Sequence, residues 1–172
     1  VASVGWLFET LERTREVARW SAEITHNHPE GVKGAESVAA VIWMARNGKS
    51  KDEIKEYVIC EFGYDLSRTC DEIRPEYFHQ ESCQKTVPEA MTAFFEGKDL
   101  EDVIRTAVSL GGDCDTLTDI ATAMGEAFYG MNDDLRRAVM QYTTEDMHGV
   151  LMEFDNVKIQ RVQDKGKVVV WA

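Results

Sequence analysis

The 172-residue chain has no apolar run long enough to span a bilayer; the longest, Ser37 to Ala45, reads as a helix face. Positive charge is scarce. Nineteen Lys and Arg stand against 31 Asp and Glu, a net charge of −12, and so acidic a surface repels DNA or RNA. It still admits one small anionic ligand held by a helix N-terminus or a metal. The four cysteines, Cys60, Cys70, Cys83 and Cys114, include no C-x-x-C pair. The first residues lack the basic region, apolar block and small-residue cleavage site of a signal peptide. The expectation is therefore four free thiols in a cytoplasmic protein, with a disulfide among them left open. Internal repeats and low-complexity stretches are also missing. What is present is 44% hydrophobic residues, enough for one compact domain over 1–172 with a core of its own.

Helical periodicity dominates. A first helix is expected from about Glu9 to Ile24, ending in the loop Thr25-His26-Asn27-His28-Pro29-Glu30-Gly31, where Gly31 permits a positive φ. A second, from Gly34 to Arg46, is apolar nearly all round and reads as buried. Ser50 and Glu53 form a capping box for a third, which ends at Gly63. Tyr64 to Lys85 reads as a long polar connection with a short turn near Asp71–Ile73, a length that suits a binding rim. Thr86 and Glu89, with Pro88 in the first turn, suggest another capping box; that helix stops at Gly97. Asp99 caps the next, which runs to Gly111. Two more follow, one ending before Gly130 and one from Asp133 to Tyr142. The end of the chain changes period. Residues 157–162 alternate, Asp164-Lys165-Gly166 reads as a turn, and 167–171 are apolar and β-branched, which together predict a β-hairpin edged with Lys158, Arg161, Lys165 and Lys167. The fold class expected is an all-α, compact orthogonal helical domain, with a core over 1–130 and a helix-plus-hairpin extension over 131–172.

The densest chemistry lies in Gly111-Gly112-Asp113-Cys114-Asp115-Thr116. Two glycines allow a tight turn, and two carboxylates and a hydroxyl follow at once. Hard oxygen donors so spaced suit Mg²⁺, Mn²⁺ or Ca²⁺ better than zinc. The plain alternative is that Asp113 or Asp115 caps the following helix. An EF-hand is excluded, because Thr118 stands where its obligatory glycine belongs and Met124 where its bidentate glutamate belongs. The loop Thr25–Gly31 offers His26 and His28. No third ligand stands at a zinc spacing, so these histidines fit hydrogen bonding to a phosphate or ribose, or a plain polar turn.

Taken in order, Val4-Gly5-Trp6-Leu7-Phe8, Thr25 through Ala35, and Gly111–Thr116 resemble the ADP-ribosylglycohydrolase family, over roughly Val1 to Gly130. The resemblance implies an all-α fold, two Mg²⁺ or Mn²⁺ ions, and cleavage of the glycosidic bond joining ADP-ribose to a protein side chain or a small acceptor. It implies that Asp113, Asp115 and Thr116 are metal ligands, with the two carboxylates catalytic through the metal, and that His26, Gly111 and Gly112 meet the substrate. Cys114 stands where the family usually has threonine, and Leu117 and Thr118 are bulkier than its usual residues.

The same resemblance implies a longer protein. The family's Gly-Asp helix and Thr-Asp-Asp run, which supply further ligands, do not occur here, and Thr144-Glu145-Asp146 comes in the wrong order. The expectation is a fragment partnered by a missing N-terminal half, whose alternative role is that of an inactive half-domain or an ADP-ribose-binding module. The leaving-group pocket is expected to draw on the Tyr64–Lys85 segment.

Overall fold

A computed structural model of the chain describes residues 1–164, with side chains to Lys158. The described backbone is all-α. It forms two compact units, Val1–Tyr129 and Gly130 onward.

In the first unit α1 spans Ala2–Leu7, α2 Leu11–Glu23, α3 Pro29–Arg46, α4 Lys51–Phe62, α5 Cys70–Ile73, α6 Cys83–Glu96, α7 Leu100–Ser109 and α8 Cys114–Tyr129. Helix α3 is the axis: α1, α2, α4, α6 and α8 all pack on it. Its run from Ser37 to Ile42 is buried, as the lack of a polar face dictates. Gly5 lets α1 cross α3 closely, since a Cβ there would lie 2.5 Å from Ile42 Cγ2. The Arg46 guanidinium then donates to the Gly5 carbonyl (2.8 Å) and Trp43 Nε1 to that of Phe8 (3.2 Å), pinning the end of α1. Elsewhere in the unit, Lys51 Nζ donates to the carbonyls of Phe94 (2.7 Å) and Phe95 (3.0 Å), satisfying the last turn of α6. Phe94, fully buried, contributes about 1.5–3 kcal/mol by its removal from water.

The second unit holds α9, Asp133–Met140, and α10, Glu145–Asp164. Within it Arg136 pairs with Asp155 at 2.8 Å. Among the described residues no helix is long and apolar enough to cross a membrane.

Several expectations need correction. α1 gave no sequence signal, being six residues long without a side-chain cap. α3 starts at Pro29, five residues earlier than expected: His28 is its N-cap and Pro29 occupies the first turn. Gly31 is helical, without a positive φ, and serves instead the approach of the chain to the His26 carbonyl, 3.1 Å from a built Cβ. Thr86 and Glu89 are no capping box. α6 begins at Cys83 and carries Pro88 inside it. Val87 packs against Gly34 of α3, and Glu89, buried, pairs with Arg68; tertiary contact draws the helix upstream past its proline. Tyr64–Lys85 is less open than its polarity suggests, because Tyr64, Leu66, Cys70 and Ile73 are buried. Residues 157–162, expected as a first β-strand, belong to α10. Val150, Phe154 and Val157 already repeat at helical spacing, which a six-residue window misses. The turn beyond Asp164 and the second strand lie outside the described residues.

Candidate metal centre

The chain leaves α7 at Leu110 and reverses through two consecutive left-handed residues, Gly111 (φ +74°) and Gly112 (φ +66°). Only glycine adopts that pair of conformations readily. The Asp113 carbonyl then accepts the Leu117 N–H (3.1 Å), so Asp113 is the residue from which α8 springs. Leu117, fully buried, anchors the first turn in the core. The two carboxylates are thereby held on a rigid helix start: Asp113 is half-buried, while Asp115 and Thr116 face solvent.

The Asp115 carboxyl is held below the ordinary carboxylate range. Its hydrogen bond with the Asp113 carboxyl is the main cause. The backbone N–H groups of Thr116 and of Asp115 itself add to this, and the nearby His79 contributes its charge. Asp115 thus uses the exposed amides of the α8 start.

A third side to the site comes from a segment the motifs did not mark by residue. A Cβ on Gly112 would lie 2.9 Å from Tyr77 Cε1 and 3.0 Å from the Phe78 carbonyl oxygen. Residues 77–79 therefore lie directly on the glycine turn. Phe78 is 67% exposed, His79 lies 3.3 Å from Glu81, and burial, with Glu89 and Asp113 nearby, raises the Tyr77 phenol. The signal for this rim was the aromatic-aromatic-histidine triplet inside a long connection.

His26 is exposed, with Nδ1 2.9 Å from Thr25 Oγ1, and no hydrogen bond links it to Gly111–Thr116 among the described residues. His28 is a cap: its Nδ1 accepts the Glu30 N–H at 3.2 Å. Cys114 is half-buried, and all four thiols are free. A cleft of about 370 Å³ between α2 and α3 lies apart from this centre and is lined with paired charges. Arg15 and Arg19 both meet the buried Glu36, at 3.3 and 2.7 Å, and Lys33 meets Glu30 at 2.8 Å.

Among the described residues no group of three or more His, Cys, Asp and Glu is placed to hold a metal. The donor set at Gly111–Thr116 is nevertheless all oxygen, two carboxylates and a hydroxyl at an open helix start, and it suits one side of the shell of a hard divalent cation. A helical domain that presents a carboxylate pair on a glycine turn, beneath an aromatic rim, has the makings of a hydrolase. The ADP-ribosylglycohydrolase family model matches residues 1–162, and the chain belongs to that family. The match runs past Gly130, where the recognisable motifs end, through α9 and most of α10. No curated protein matches the chain.

Proposed function

We propose that the protein acts as a Mg²⁺-dependent hydrolase of the glycosidic bond between ADP-ribose and an acceptor, either a protein side chain or a small molecule. The observation that carries this reading is the placement of Asp113 and Asp115 together at the start of α8, in a chain of this family. Asp113, Asp115 and Thr116 would hold the metal, one of two Mg²⁺ or Mn²⁺ ions in a complete centre. The bound pair would supply Lewis acidity and orient ribose hydroxyls and a water. The chain's own residues position the substrate. Gly111, where a Cβ would meet nothing within 4 Å, would leave room for it, Gly112 would seat Tyr77 and Phe78 as a wall beside it, and His26 would offer an imidazole to a ribose or phosphate. A cytoplasmic location fits the free thiols.

Mg²⁺ is expected to raise the melting temperature of the protein in the presence of ADP-ribose. Asp113→Ala and Asp115→Ala should each abolish that rise and the release of ADP-ribose from a modified acceptor. Parental release by the double variant would overturn the site assignment.

A second reading is favoured by one observation, the small local donor set. Three protein oxygens hold two ions weakly, and a chain limited to them would bind ADP-ribose without turning it over. Calorimetric binding with no product formed supports this reading; measurable turnover by the purified 172-residue chain excludes it.

A further inference from the structure

The second unit buries none of its described residues. α10 turns one face to the α9 side. There His148 Nε2 lies 2.7 Å from Thr143 Oγ1 and 3.2 Å from the Met140 carbonyl oxygen. Asp155, seven residues on, accepts from Arg136 at 2.8 Å. A different face carries Met147, Val150, Phe154 and Val157, spaced three, four and three residues apart, the alternation by which one helix pairs with another. Met147 is 54% exposed and Val150 67%. Phe154 is half-buried, with Lys158 Nζ 5.4 Å from its ring centre. Apolar side chains scattered on a surface are ordinary, but a row of them along one helix marks an interaction face.

Charge is distributed along the same helix in a way that selects the occupant of this face. Glu145, Asp146, Glu153 and Asp155 come before any lysine or arginine of α10, and Lys158 and Arg161 then follow, against Asp164 alone. Asp155 and Lys158 pair with each other within the helix, at 3.7 Å. By register, Asp146 and Glu153 edge the apolar row seven residues apart, and Arg161 continues the line of Met147 and Phe154 by seven more. Two copies of α10 laid side by side in the same direction set acid on acid. Laid in opposite directions, the acidic start of each meets the basic end of the other.

We propose that the Met147–Val157 face of α10 docks antiparallel on the same face of a second copy of this chain. Such a contact is isologous, so each favourable pair occurs twice. Met147 and Val150 of one copy fall near Val157 and Phe154 of the other. The 20-residue helix is about 30 Å long, and one helix pair of that length makes an interface at the small end of specific contacts, so the dimer is reversible. The inference concerns the second unit and does not depend on what the first unit catalyses.

The test is sedimentation equilibrium of the full 172-residue chain, without metal or nucleotide, over a wide range of protein concentration. A monomer–dimer equilibrium is expected, and added salt should weaken it, because the charges at the two ends attract. Val150→Glu should weaken the dimer by more than about tenfold, since the dimer buries the introduced charge twice. Asp146→Lys and Arg161→Glu should each weaken it about threefold, and the double variant should regain the parental affinity. That pattern of loss and recovery arises only when the start of one helix faces the end of the other. These three positions line the surface of one helix, so the variants should melt as the parent does. A chain that stays monomeric throughout overturns the proposal and leaves the face to a different partner. A dimer indifferent to Val150→Glu, or one that salt tightens, overturns it too. Because neither metal nor turnover is involved, either result would leave the hydrolase reading untouched.

Discussion

Gly111 and Gly112 look interchangeable in the sequence and differ in the folded chain. Both have positive φ, but a Cβ on Gly111 meets nothing within 4 Å, whereas one on Gly112 strikes Tyr77 and the Phe78 backbone. Gly111→Ala should therefore cost only the left-handed backbone, about 1–2 kcal/mol. Gly112→Ala should cost more and also displace residues 77–79. Thermal melts rank the two, and protease cleavage in the 77–79 segment, raised in Gly112→Ala alone, locates the difference. Asp113 and Asp115 were legible as oxygen donors from their spacing. That Asp113 is half-buried while Asp115 faces solvent was not legible, since it depends on how the start of α8 sits on the rest of the domain.

Among the elements, α4 follows its sequence closely. Ser50 accepts the Glu53 N–H at 3.2 Å, and Glu53 accepts the Ser50 N–H at 2.9 Å. These bonds, led by that with Lys49, bring the Glu53 carboxyl from 4.5 down to about 2. A carboxyl lowered in the folded state stabilises above its unfolded value and loses that contribution as pH falls through the folded one. Removing the cap with Ser50→Ala should cost about 1 kcal/mol at pH 7. Acid melts should show the parent losing its advantage over Glu53→Gln between about pH 4.5 and pH 2. α6 is the opposite case: its local signals, Thr86, Pro88 and Glu89, point to an N-cap at Thr86, whereas the N-cap is Ser82. Packing of Val87 on Gly34 overrides them, because burial of Val87, with Thr86 and Glu89 beside it, outweighs one missing backbone bond at Pro88.

Over the whole molecule, every buried side chain among the described residues lies within Val1–Tyr129. A chain ending at Gly130 should unfold cooperatively, with a melting temperature close to that of the full chain; a collapsed transition would show that the second unit supplies core. Leu117→Ala, at a fully buried position on α8, should cost about 3–5 kcal/mol. It should weaken Mg²⁺ binding as well, since Leu117 holds the helix start that carries both carboxylates.

By itself the sequence determined the fold class, most helix boundaries, the family and the oxygen-donor turn, because each rests on residues close in the chain: caps, glycines and 3.6-residue periodicity. Tertiary structure decided the rest. It brought Tyr77 and Phe78 onto Gly112, buried Tyr64 and Ile73 of a polar connection in the core, made His28 a cap rather than a ligand, and absorbed residues 157–162 into a helix. The first two depend on contacts between distant segments. The His28 cap depends on a side-chain direction, and the absorption of 157–162 on a helix longer than the stretch whose alternation suggested a strand.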